Sequence, residues 1–174
     1  DAPSSIPPRI PALAILARSI TTALGRGVEA HRQALASRRS GLIANNFGHA
    51  PLATWIGRVE GLETAALPPH LAGWECRNNR LAWLALQQDG LFDAIARVRS
   101  RHGAERVAVV LGTSTSSIGA TEDAYQQLVT DDLGVPRFPD ALARPIVHTV
   151  HSLGDFVQHA TPLRGPCITV ATAW

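Results

Sequence analysis

Apolar positions recur along this chain in two patterns, and together they outline an alternation of strands and helices. Helical spacing appears first over Gly27–Ser37, where Val28, His31 and Leu35 fall on one face at i, i+3 and i+7. It returns in two further segments, from about Glu75 to Gln88 and from about Leu91 to His102. In the second of these Leu91, Ala94, Ile95 and Val98 form a single stripe, and Gly90 and Gly103 punctuate its ends. Thr121–Val129 is predicted as another helix, with Gly119 or Thr121 as its cap and Glu122-Asp123 suited to its amino end. Ser152–Ala160 is predicted as a short helix entered through a Ser cap.

Continuous apolar runs mark the strands. Ala12–Ala17 predicts the first of them, and Val107–Leu111 predicts a strand covered on both faces. Ile168–Val170 is β-branched throughout and predicts a core strand, with Pro166 placed where a strand can open. The small residues Ala171, Thr172 and Ala173 extend it and let another backbone approach before the sequence reaches Trp174. Between these elements, Arg38–Gly61 reads as loop with a strand at Thr54–Val59. Pro68-Pro69 interrupts the chain, and Asp131–Pro145 reads as a loop carrying three prolines. Residues 1–11 carry four prolines and read as an extended lead-in, which leaves 12–174 as one unit. Strands alternating with helices indicate the α/β class. No internal repeat and no coiled-coil heptad is visible.

Composition narrows this picture only slightly. The 174 residues suffice for one domain with a core, and the 45% hydrophobic content fits a folded protein. All 16 basic residues are Arg, and the net charge is only +2. They are scattered in sequence, which argues against nucleic-acid binding, since phosphate tracking needs a clustered basic face. Cys76 and Cys167 have neither metal-site spacing nor a disulfide framework, so a reducing cytoplasm is expected. Ile10–Leu16 is too short to span a bilayer, and no signal-cleavage pattern is evident. Trp55, Trp74 and Trp83 are read as packing residues.

Several motifs add up to a family resemblance. Gly165-Pro166-Cys167-Ile168-Thr169-Val170-Ala171-Thr172-Ala173 resembles the segment that leads to the nucleophile in β-ketoacyl-acyl carrier protein synthases, condensing enzymes of the thiolase-like fold. Thr22-Ala23-Leu24-Gly25 resembles the turn after that family's first strand, although Arg18-Ser19 stands near where the family carries a glycine. Gly27–Leu42 resembles its first helix, Asn78-Asn79-Arg80-Leu81 resembles bacterial members, and Arg106–Ser117 is the most specific match. The resemblance implies the N-terminal half of a layered αβαβα architecture, cut before the nucleophile helix. It also implies decarboxylative condensation of an acyl chain with malonyl-carrier protein, in fatty acid or polyene biosynthesis, with no dissociable cofactor.

The same resemblance assigns site residues. It puts Trp174 where the family has its nucleophilic Cys, and indole cannot form the acyl-enzyme. It places both catalytic histidines in the half not represented here, so the chain alone is expected to be inactive. Ile168, Thr169, Val170, Ala171, Thr172 and Ala173 would form the strand that pairs across a two-fold axis, giving a homodimer or pairing with a ketosynthase subunit. The alternatives are a non-catalytic ketosynthase-like partner, or an inactive gene fragment. Arg77 and Arg80 are the candidates for docking an acidic acyl carrier protein. The Gly112–Ser117 cluster lacks the Lys of a phosphate-binding loop and reads as a structural turn. His148 and His151 have no third ligand in a motif and read as structural, so no metal site is expected.

Overall fold

The computed structural model describes residues 11–48 and 52–171. Its elements, in chain order, begin with β1 (Thr21–Thr22), β2 (Gly25–Arg26) and α1 (Val28–Ala36), followed by β3 (Leu42–Ala44) and β4 (Trp55–Gly57). A 3-10 segment, Pro69–Trp74, leads into α2 (Arg77–Leu86) and α3 (Leu91–His102). After a second 3-10 turn, Ala104–Arg106, come β5 (Val109–Gly112), α4 (Ile118–Tyr125), β6 (Val129–Thr130), β7 (Pro136–Arg137), α5 (Ser152–Ala160) and β8 (Cys167–Val170). The strands form four two-stranded pairs: β1–β2, β3–β4 and β6–β7 are antiparallel, and β5–β8 is parallel.

The β5–β8 pair aligns Val109 with Cys167 and Gly112 with Val170. Helix α5 lies on one face of it and α2 packs on the far side of α5. The core therefore sits among helices: Leu67, Leu71, Trp74, Leu86, Phe156 and Ala160 are buried together, with Trp83, Phe92, Ile95 and Val157 packed around them. The Leu91-Ala94-Ile95-Val98 stripe of α3 is half-buried toward this cluster, as its spacing requires. Gly103 closes α3 at φ 89°, a conformation that an L side chain resists.

Several expectations need correction. Ala12–Ala17 is not a strand: no strand among the described residues pairs with it, and Leu13, Ile15 and Leu16 are more than four-fifths exposed. β-propensity alone does not order an extended segment without a neighbour to satisfy its backbone. β5 is covered on one face only, because α5 occupies that face and Val110 on the other is 70% exposed. The buried face of α1 runs through His31 and Ala34, whereas Leu35 points to solvent. The Arg38–Gly61 loop contains a hairpin, with Ile43 opposite Ile56. Helix α4 starts three residues earlier than expected and stops at Tyr125, because Val129-Thr130 pairs with Pro136-Arg137. The Asp131 side chain builds that hairpin by accepting the backbone N–H groups of Leu133 and Val135. Finally, α5 begins after His151 with no side-chain cap, while Ser152 lies fully buried inside the first turn.

Candidate functional site

Parallel strands release their connections at the same end, and ligands in α/β proteins gather outside the carboxyl ends of such strands. Here that end is built by Gly112–Ser117 leaving β5 and by Ala171 following β8. The backbone N–H of Thr113 still bonds to Val170 O at 2.9 Å, so the two exits stay side by side. The loop then folds on itself: Ser116 donates its N–H to Thr113 Oγ1 at 3.0 Å, and takes a left-handed φ of 50°. Its Oγ accepts the N–H of Leu153 at 3.3 Å, which docks the start of α5. Ser117 donates its hydroxyl to the carbonyl of Val147, a fully buried residue. These hydroxyls are thus committed to fixing the entries of α4 and α5, in agreement with the structural reading of the cluster.

His148 is fixed in the same way. Its Nε2–H donates to Leu142 O at 2.7 Å and its Nδ1 accepts from Thr121 Oγ1 at 2.9 Å, while the ring centre lies 5.1 Å from that of Phe138. Both nitrogens are occupied, so His148 is a strut between α4 and the 139–148 segment. His148→Leu is expected to lower stability by about 1 kcal/mol, the usual net worth of such bonds. An unchanged urea midpoint would show that the strut carries no load. His31 is held similarly, between Gly27 O and Thr22 Oγ1, both at 2.8 Å.

A cleft of about 640 Å3 opens between the amino ends of α2 and α4, with Cys76, Asn78, Arg80, Ser116, Ser117 and Arg144 among its walls. Arg144 crosses it to donate to Glu75 O at 2.7 Å. Cys76 is 6% exposed, and burial pushes its thiol above the ordinary range although the N–H groups of Asn79 and Asn78 pull the other way. Cys167 is also raised, first by burial and then by the charge of Asp155. Both thiols therefore stay protonated near neutrality, and neither is an activated nucleophile. Among the described residues no three His, Cys, Asp or Glu side chains are grouped to hold a metal ion.

The residues singled out by sequence are distributed as follows. Trp174, Thr172 and Ala173 lie outside the described residues. In β8, Cys167 and Thr169 face Gly154 of α5, whereas Ile168 and Val170 are 52% and 49% exposed on the opposite face. Among the described residues β8 pairs with β5 alone, so its outer edge is open. Arg77 and Arg80 turn out to be engaged within the chain. The Arg77 guanidinium sits 3.0 Å from Glu63 Oε1 and 4.8 Å from the Phe47 ring centre, and Arg58 shares the same carboxylate. Burial raises the Glu63 carboxyl, but hydrogen bonds from Arg77 and Arg58 outweigh this and hold it below its usual range. Arg80 donates to Leu62 O and Glu63 O at 3.2 Å and lies 2.9 Å from Glu75 Oε1. The two arginines therefore tie the 58–63 segment to α2. Sequence reasoning missed Arg144, whose partner lies 69 positions away and leaves no local signal.

Comparison with known proteins gives a likeness of fold. No family model matches the chain, and no curated protein matches it. Among solved structures, the chain is similar to the ketosynthase ApeO, in complex with its chain length factor ApeC, from Xenorhabdus doucetiae. The TM-score is 0.60 at 22% sequence identity, over 86% of this chain and 36% of that one. The likeness shows a ketosynthase-like α/β fold, and the chain spans about a third of the length of the protein it matches. Among the described residues no helix is long and apolar enough to cross a membrane.

Proposed function

We propose that this chain is a ketosynthase-like module of a carbon–carbon bond-forming assembly, and that its part is to pair with a ketosynthase subunit, not to carry the acyl group. The reading rests above all on the parallel β5–β8 pair, whose Gly112–Ser117 loop and Gly165–Ala171 segment sit side by side in a fold similar to a ketosynthase. A condensing enzyme needs a thiolate to take the acyl chain from its thioester. Cys76 and Cys167 are both pushed toward the thiol form, and Trp174 stands where the sequence resemblance puts the family's Cys. The assembly would join an acyl chain to malonyl-carrier protein with loss of carbon dioxide, in fatty acid or polyene biosynthesis in the cytoplasm. The pairing strand would be Ile168–Ala173: over β8 the outer edge is open among the described residues, and Ile168 and Val170 are half exposed. The solved neighbour is itself a ketosynthase bound to a chain length factor, which favours pairing over a solitary enzyme. Carrier-protein docking would fall to Arg77, the more exposed of the two arginines on α2.

The test combines two measurements. Incubated with a radiolabelled acyl thioester, the chain is expected to take up no stoichiometric label. In sedimentation, an Ile168→Asp/Val170→Asp variant is expected to lose association, with itself or with a ketosynthase subunit, that the parent chain shows. Label on Cys76, Cys167 or Trp174 sinks the non-catalytic part. A parent chain that stays monomeric alone and with such a subunit sinks the pairing part.

A further inference from the structure

The end of the β5–β8 pair opposite the Thr/Ser loop holds a second cleft, of about 800 Å3, and its walls are cationic. Arg99 reaches it from the last turn of α3, His159 from the last turn of α5, and Arg164 from the segment entering β8. Arg99 makes one long bond, Nη1 to Thr161 O at 3.5 Å, which leaves most of its five donors uncommitted. Arg164 Nη2 lies 2.8 Å from Glu105 Oε1, but the two side chains are 73% and 63% exposed, so the pair opens at little cost. The His159 Nδ1–H donates to Asp155 O at 2.8 Å, and among the described residues nothing bonds its Nε2. The floor is apolar, formed by Pro162 and the buried Leu163.

Further arginines flank the same stretch of chain. Arg97 and Arg101 line a groove on another face of α3, and Arg106 ends the turn that follows. Arg99 and Arg164 therefore meet at the cleft with Glu105 as the carboxylate paired to Arg164, and Asp155 one turn before His159 on α5, in a chain whose net charge is only +2. Arg97, Arg99, Arg101 and Arg106 lie within ten positions, and the distant Arg164 joins them because the turn after α3 and the entry to β8 meet through the bond from Arg164 N to Ala104 O.

We propose that the cleft walled by Arg99, His159 and Arg164 binds a phosphate monoester, with the phosphoryl group between the two guanidinium groups and the organic part on Pro162 and Leu163. Planar guanidinium forks match phosphate oxygens two at a time, and a dianion answers a site with two cations and one easily displaced carboxylate. The volume is within the range of small-ligand sites and exceeds what inorganic phosphate would fill. The site lies away from the Thr/Ser loop and does not depend on the pairing role proposed above.

The full chain should be titrated calorimetrically with inorganic phosphate and with phenyl phosphate, at an ionic strength held constant with sodium chloride. Saturable binding is expected, tighter for phenyl phosphate. Arg99→Gln and Arg164→Gln should each weaken it by about tenfold, the equivalent of losing one charge-assisted hydrogen bond. Arg164→Gln changes an exposed side chain, so it remains informative if Arg99→Gln fails to fold. Arg18→Gln, which is not among the residues lining the cleft, should leave binding unchanged. Flotation with phosphatidylcholine vesicles, with and without phosphatidic acid, separates the sources. Association that needs phosphatidic acid and is lost in Arg164→Gln assigns the phosphate to a lipid headgroup, and its absence assigns it to a free monoester. No saturable binding in any arm, or equal weakening by Arg18→Gln, overturns the site.

Discussion

Phe156→Ala is expected to destabilise the protein by about 3–5 kcal/mol, enough to unfold a domain of ordinary stability. Phe156 is completely buried and stands at the centre of the helical core. Its ring meets Trp74 edge to face at 6.4 Å, and it belongs to the helix that separates the parallel pair from α2. Truncation therefore loses apolar burial, loses an aromatic contact and leaves a cavity whose walls belong to three different elements. They cannot all collapse inward without breaking the seating of α5 on β5 and β8. Urea unfolding followed by circular dichroism measures the effect. A loss below about 1 kcal/mol would mean that the core does not pass through this residue. Phe156→Leu, which keeps most of the volume, should cost much less.

Gly154→Ala is expected to cost up to about 3 kcal/mol through overpacking. Gly154 is the point where α5 touches β8: a Cβ there would fall on Thr169 Oγ1 and come within 3.2 Å of Cys167 Sγ. Helix propensity alone predicts the opposite sign, since alanine is the better helix former by about 1 kcal/mol. The sign of the measured change thus decides between local preference and tertiary contact. Thr169→Ala removes the offending oxygen, and the remaining β-carbon of residue 169 lies at 3.6 Å, an ordinary contact. The double variant Gly154→Ala/Thr169→Ala should therefore recover most of the loss. Equal destabilisation in single and double variants would show that the clash lies elsewhere.

Much of the helical framework was legible in the sequence. The bounds of α3 follow from periodicity and flanking glycines, the β5 strand from a continuous apolar run and the β8 strand from a β-branched one. What escaped was whatever depends on distant partners. The amino end of α1 has no local capping side chain; the Asp89 carboxylate accepts the Val28 N–H instead, at 3.0 and 3.1 Å, from 61 positions away. Ser152 looks like a cap and is instead a buried residue inside the turn, because the loop at Ser116 takes over the entry to α5. Ala12–Ala17 has the composition of a strand but, among the described residues, no neighbour to pair with. For the candidate site, the Gly112–Ser117 cluster was legible as a structural turn, but Arg77 and Arg80 were portrayed as free cations when both bind within the chain. The cationic cleft was invisible because its arginines converge only after α3 and β8 are brought together.

The pairing of β5 with β8 also constrains how the molecule comes together in time. Val109 meets Cys167 only after α4, the β6–β7 hairpin and α5 have all been enclosed in one long excursion of chain. Such a closure must be completed before its first hydrogen bond returns any free energy, although each doubling of the excursion adds only about 0.6 kcal/mol. Helices α2 and α3 meet across a short turn and face no comparable delay. Assembly is therefore ordered from the helical hairpin outward, with the parallel strands among the last contacts to form.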